Sequence, residues 1–135
     1  MMRPFIENVS YDNIKRAFHY DPGPNSVLIQ ITDPNMSGFP FPKYKFKEIH
    51  QFKFWDQDEE GYEGNFTREQ AKEIVHILKS ALDNHSNVIV HCHAGMCRSG
   101  AVVEAGISIG FMETDRYRQP NILVKRLLME QLNET

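Results

Sequence analysis

One short run holds most of the reactive side chains of this chain: His91-Cys92-His93-Ala94-Gly95-Met96-Cys97-Arg98-Ser99. A thiol, a guanidinium and a hydroxyl at this spacing suit nucleophilic attack on a bound anion. If the loop curls tightly, its backbone N–H groups converge on one point. A helix beginning where the loop ends adds its own unpaired N–H groups and the positive end of its dipole. Such places hold phosphate. Gly95 admits a backbone conformation closed to other residues, and Arg98 offers a planar fork for two phosphate oxygens, which Lys does not match. The same field acts on Cys92. A free thiol has a pKa near ~8.5, and helix N-termini and neighbouring cations lower it by one to several units. Cys92 is therefore expected to be a thiolate at neutral pH, a nucleophile and leaving group that splits a hydrolysis into two steps.

The elements around this run decide whether it can work. Asn87-Val88-Ile89-Val90 reads as a short buried strand leading into the loop, and Ser99 to Gly110 as a helix apolar on nearly all sides, hence buried. Upstream, Phe5 to Val9 suggests a first strand and Tyr11 to Phe18 a short helix. The turn Asp21-Pro22-Gly23-Pro24-Asn25 precedes a buried strand at Val27 to Thr32. Lys45 to Phe54 alternates in part, its second half a strand aimed at Trp55-Asp56. Thr67-Arg68-Glu69-Gln70 is a capping box, and Ala71, Ile74, Val75, Leu78, Ala81 and Leu82 follow at helical spacing. Pro120 is placed for the first turn of a last helix packed through Leu123, Val124, Leu127, Leu128 and Leu132. Strands alternating with helices predict an α/β fold: a three-layer domain with a mostly parallel central sheet flanked by helices. In such sheets ligands lie beyond the carboxyl ends of the strands, which is where Cys92 to Arg98 falls.

The 135 residues suit a single domain spanning 1–135. The net charge of −3 gives no basic face of the kind nucleic-acid binding needs. The two cysteines, Cys92 and Cys97, are too close to staple a secreted fold. No run reaches the ~18 apolar residues of a membrane span, and the first residues lack the apolar core of a signal peptide. A cytoplasmic monomer with no membrane partner is expected. His91, Cys92, His93 and Cys97 also match the ligand types of zinc. Adjacent residues rarely converge on one ion, however, and Arg98 would sit beside the cation, so no metal and no cofactor are expected.

The run His91 to Ser99 resembles the signature loop of the cysteine-dependent protein tyrosine and dual-specificity phosphatase superfamily, HCxxGxxR followed by Ser or Thr, at every fixed position. The resemblance extends over about Ile29 to Leu128 and is to the compact phosphatases of bacteria and bacteriophages. It implies Cys92 as nucleophile, Arg98 as phosphate binder and transition-state stabiliser, and Ser99 as hydrogen-bond donor to the departing sulfur. His91 would brace the loop through hydrogen bonds, and the backbone of His93, Ala94, Gly95, Met96, Cys97 and Arg98 would cradle the phosphate. It also implies a general acid on a movable loop, an Asp some thirty to thirty-six positions before the cysteine. Asp56 stands 36 positions before Cys92, directly after a predicted strand, and Asp58 stands 34 before it. Asp56 is preferred and Asp58 is the alternative, within an acidic loop that also holds Glu59, Glu60 and Glu63. The implied substrate is a phosphorylated protein or peptide carrying phosphotyrosine, with phosphoserine and phosphothreonine next. A catalytically silent phosphate-binding module, and phosphatases of RNA 5′-phosphates or phosphoinositides, are the alternatives.

The Cys, four residues, Cys-Arg-Ser spacing is shared with the low-molecular-weight tyrosine phosphatases, which implies Cys97 as a redox partner for Cys92, although chain order separates the two families and Cys97 also reads as a small buried filler. Arg116 and Arg118 could reach the phosphate mouth but read more simply as solvated surface. His19, His50, His76 and His85 read as surface or boundary residues. Phe39-Pro40-Phe41-Pro42 could wall the pocket or pack on its own rings.

Overall fold

The computed structural model describes residues 3–134. In chain order the elements are β1 (Phe5–Ser10), α1 (Tyr11–Arg16), β2 (Val27–Thr32), β3 (Glu48–Lys53), α2 (Arg68–Asp83), β4 (Val88–Cys92), α3 (Arg98–Ile109), β5 (Met112–Glu113) and α4 (Ile122–Asn133). The β-branched runs become the inner strands because both faces of each are covered. Val27, Ile29 and Ile31 of β2 join Val88, Val90 and Cys92 of β4 in one apolar cluster with α2, α3 and α4. The alternate residues Leu28 and Ile89 pack on the other face with Val9 and with Ile14 of α1. The strand period of two therefore assigns Cys92 to the face that carries three helices, and His91 to the face that carries α1.

The sheet order is β3-β2-β4-β1-β5, and every pairing is parallel. The expected mostly parallel central sheet flanked by helices is what the chain forms. β4 lies in the middle, flanked by β1 and β2, so the carboxyl ends of three neighbouring strands, at Ser10, Cys92 and Thr32, open on the same side. Residues 33–47 join the parallel neighbours β2 and β3 without an intervening helix.

α2 is held by the capping box as predicted. Gln70 N donates to Thr67 Oγ1 at 3.1 Å, and Thr67 N donates to Gln70 Oε1 at 3.0 Å. Several boundaries differ from the sequence expectation. α1 stops at Arg16 rather than Phe18, because Ala17 turns left-handed at φ 60°. Pro120 lies outside α4: Asn121 is the N-cap, accepting from Val124 N at 2.9 Å, so the proline fixes the approach to the helix rather than its first turn. β5 was not foreseen; two residues carry no periodicity. Among the described residues no helix is long and apolar enough to cross a membrane.

Candidate active site

The loop between β4 and α3 is shaped from outside. The carbonyl of His93 accepts from Tyr11 N at 3.1 Å, and that of Gly95 from Asn8 Nδ2 at 2.6 Å. The carbonyl of Met96 accepts from Gln119 N at 3.1 Å, and that of Cys97 from Asn121 N and Ala101 N, each at 3.0 Å. In a planar trans peptide the C=O and the following N–H point opposite ways. Carbonyls drawn outward therefore turn the N–H groups of Ala94, Met96, Cys97 and Arg98 towards the hollow above Cys92. Gly95 N donates to Cys92 Sγ at 3.3 Å. Gly95 sits at φ 76°, and a Cβ there would lie 2.4 Å from Ser10 N, so this position closes to any other residue on both backbone and steric grounds.

Cys92 is the last residue of β4, 2% exposed, with its sulfur 3.1 Å from Ser99 Oγ in the first turn of α3. It forms the floor of a cavity of about 270 Å³ lined by Asp33, Trp55, Asp56, Gln57, His93, Ala94, Cys97 and Arg98. Arg98 is buried, and its Nη1 donates to Asp33 Oδ1 at 2.7 Å and to the Phe54 carbonyl at 2.8 Å. Both cysteines are free thiols, Cys97 half-buried. Burial, with Asp56 next in weight, pushes the Cys97 thiol up, which keeps it protonated.

Asp56 lines the cavity above Cys92, whereas Asp58 lines an adjoining hollow with Gln57, Glu59, Tyr62 and Asn65. Asp56 is held in place by Asn121, whose Nδ2 donates to Asp56 Oδ1 at 2.7 Å and to the Gln57 carbonyl at 3.1 Å. One asparagine thus caps α4, bonds the Cys97 carbonyl and holds the acidic loop. That loop is less free than its composition suggests. Glu60 pairs with Arg68 at 2.7 Å and lies 3.5 Å from Arg126. Hydrogen bonding from Arg68 also pulls the Glu60 carboxyl below its ordinary range. Trp55 N donates to the Gly64 carbonyl at 2.9 Å, and a Cβ on Gly64, at φ 82°, would meet the Trp55 ring at 2.6 Å.

Several expectations need correction. The His91 ring is fully buried and edge-on to Tyr11, with neither ring nitrogen in a hydrogen bond of good geometry. Burial pulls its pKa down to about 4, against the opposing Cys92 backbone. Arg116 and Arg118 do not line the cavity. Arg118 pairs with Glu104 at 2.5 Å and Glu113 at 2.8 Å, and Arg116 turns to the Phe18 carbonyl and Glu7. His19 is buried rather than a boundary residue. Phe41 is almost wholly exposed and lies away from the cavity. Among the described residues no three His, Cys, Asp or Glu are grouped to hold a metal ion. Sequence reasoning missed Asp33, Asn8 and Asn121. The first two had a readable signal: polar residues ending or interrupting strands that are otherwise apolar.

Residues 63–110, from the acidic loop through α2, β4 and the Cys92 loop to the end of α3, match a family described as the DSP-PTPase phosphatase of polymorphic toxin systems. No curated protein sequence matches the chain. Among solved structures, human tyrosine phosphatase-like serine/threonine/tyrosine-interacting protein superposes with a TM-score of 0.66 at 18% identity, covering 96% of this chain and 91% of the other. Human DUSP28 superposes with a TM-score of 0.63 at 11% identity, covering 97% and 93%. The family match takes in the Cys92 loop and α3, and the two superpositions show that the chain shares the fold of these phosphatase-like proteins.

Two predictions follow from the loop's surroundings. Asn8 is 1% exposed and donates to both the Gly95 and Tyr117 carbonyls. Asn8→Ala leaves the Gly95 carbonyl without its buried donor, at about 1–3 kcal/mol, and frees the part-buried Tyr117 carbonyl. It should lower the urea midpoint and weaken vanadate binding together; an unchanged vanadate affinity would show that the loop holds its shape without Asn8. Folded His91 stays neutral down to about pH 4, whereas in the unfolded chain it takes a proton near 6.5. The unfolded state therefore binds more protons across that window, and stability present above pH 6.5 is lost as pH falls towards 4. Urea unfolding at pH 7.5 and 5 should differ by on the order of 2 kcal/mol from this residue, and His91→Phe should shrink the difference. Equal slopes in the two proteins would contradict a buried neutral imidazole.

Proposed function

We propose that this chain, as one phosphatase domain, removes phosphate from phosphotyrosine in proteins or peptides, and from phosphoserine and phosphothreonine, through a cysteinyl-phosphate intermediate. The observation that carries this reading is the single cavity with the Cys92 sulfur at its floor and Arg98 and Asp56 in its wall.

The Cys92 sulfur attacks phosphorus, forming the S–P bond as the bond to the leaving oxygen breaks. Asp56, protonated, gives that oxygen its proton. The inward N–H groups of the loop and the Arg98 guanidinium hold the non-bridging oxygens as charge builds on them. Water then attacks phosphorus with Asp56 taking its proton, and the sulfur departs while the Ser99 hydroxyl, 3.1 Å away, donates to it. Asp56 is favoured over Asp58 as the acid because it faces the cavity that Cys92 occupies. Cys97, half-buried next to Arg98, is a redox partner for Cys92 only once its thiol gives up the proton that burial makes it keep.

The charges around the mouth narrow the substrate class. Among the described residues Arg98 is the one Lys or Arg lining the cavity, against Asp33 and Asp56, and Asp58 and Glu59 line the hollow beside it. A single phosphate is accommodated, but the further phosphates of an RNA 5′-triphosphate or a polyphosphoinositide meet like charge.

Metal-free turnover of para-nitrophenyl phosphate, followed by a phosphopeptide panel, tests the reading. Cys92→Ser should abolish turnover, and Asp56→Asn should lower kcat by about 10²–10⁴ on alkyl or peptide substrates while Asp58→Asn leaves it near wild type. Vanadate binding by the wild-type protein without any turnover would favour a silent phosphate-binding module instead.

A further inference from the structure

Arg98 is held before any phosphate arrives. Its side chain is 5% exposed, so the guanidinium is out of water and needs a fixed partner. Both hydrogen bonds it makes come from Nη1, to Asp33 Oδ1 and to the Phe54 carbonyl. These acceptors follow the carboxyl ends of β2 and β3, which are themselves stitched together where Phe54 N donates to the Thr32 carbonyl at 3.1 Å. Nε is buried without a partner, and Nη2 makes no hydrogen bond among the described residues. The guanidinium is thus spent on one corner and unspent along the Nε–Nη2 edge. That edge is the pair of parallel donors that matches two oxygens of a phosphate.

We propose that Asp33 is a positioning residue: it fixes the Arg98 fork so that its Nε–Nη2 edge is presented to the phosphoryl oxygens. The proposal rests on the reading of the cavity as a phosphoryl-transfer site and adds a residue to it. The Phe54 carbonyl alone fixes one point and leaves the planar group free to swing. The carboxylate, from a second strand, supplies the other point. Asp33 also lines the cavity, and an acid there would repel a dianion. Two facts set that repulsion below the orienting effect: its charge is matched by Arg98 at 2.7 Å, and its side chain is 38% exposed and so screened by water. The buried Nε donor, otherwise uncompensated, gains a partner only when an anion enters.

The test compares wild type, Asp33→Ala, Asp33→Asn and Asp33→Glu, each also in an Arg98→Lys background. kcat and KM are read on para-nitrophenyl phosphate, and vanadate affinity is read from the fluorescence of Trp55, the chain's one tryptophan, which lines the cavity. Asp33→Ala is expected to lower kcat by roughly 10- to 100-fold, the scale of a misplaced catalytic group, and to weaken vanadate by about tenfold with a smaller change in KM. Asp33→Asn, which keeps an oxygen for Nη1, should recover most of both. Asp33→Glu, which moves the carboxylate by one methylene, should not; it carries the test if the alanine variant fails to fold. With Lys at 98 there is no fork to orient, so the Asp33 substitutions should change little further. Wild-type kcat in a folded Asp33→Ala or Asp33→Glu, tighter vanadate binding by Asp33→Asn, or equal losses in both backgrounds would overturn the proposal. Vanadate binding separates the two levels: a wild type that binds vanadate through Asp33 and Arg98 without turnover leaves the positioning role intact and removes the phosphatase reading.

Discussion

The outward hold on four carbonyls of one short run, those of His93, Gly95, Met96 and Cys97, shapes the loop that everything else serves. Peptide planarity turns each outward C=O into an inward N–H on the next residue, so the ring of N–H groups is made by contacts outside the hollow. The donors come from elements far apart in sequence: Tyr11 at the start of α1, Asn8 in β1, and Gln119 and Asn121 before α4. A ring built this way is preorganised, its donors fixed by the surrounding fold. Gly95 belongs to the same constraint, since β1 passes too close for any side chain at that position.

Reactive groups are then delivered by strand ends. β4 ends on Cys92, β2 runs into Asp33 and β3 runs into the segment carrying Phe54 and Asp56. Because the sheet is parallel throughout, all three open on one side. Asn121 couples the two halves of the site: its backbone holds the Cys97 carbonyl, and its side chain holds Asp56 and Gln57. The acidic loop beyond Asp56 is tied back to α2 and α4 through Glu60, Arg68, Arg126 and Glu130. These surface pairs are individually worth little, so the loop is held over the cavity by many weak ties rather than one strong one.

Most of this was legible in the residues. The β-branched runs of β2 and β4, the capping box at Thr67 and Gln70, and the buried character of α3 follow from local pattern, and the loop signature marked Cys92 and Arg98 directly. What escaped depended on tertiary neighbours. His91 was given a bracing role by the family resemblance, whereas the fold buries its ring edge-on to Tyr11. Arg118 read as solvated surface because its partners, Glu104 and Glu113, come from the two preceding elements. Asn121 acts through Asp56, 65 positions away, a separation at which sequence pattern carries no signal.

The claim at the centre is that this ring and Arg98 hold a phosphoryl group in line with the sulfur of Cys92. Rapid acid quench of the protein during turnover of para-nitrophenyl phosphate, with peptide mass spectrometry, tests it most directly. A phosphoryl adduct on the peptide containing Cys92, absent from Cys92→Ser and formed in step with the first release of nitrophenol, is the result expected. Release of nitrophenol with no adduct on Cys92, or with the adduct on another residue, would contradict the account.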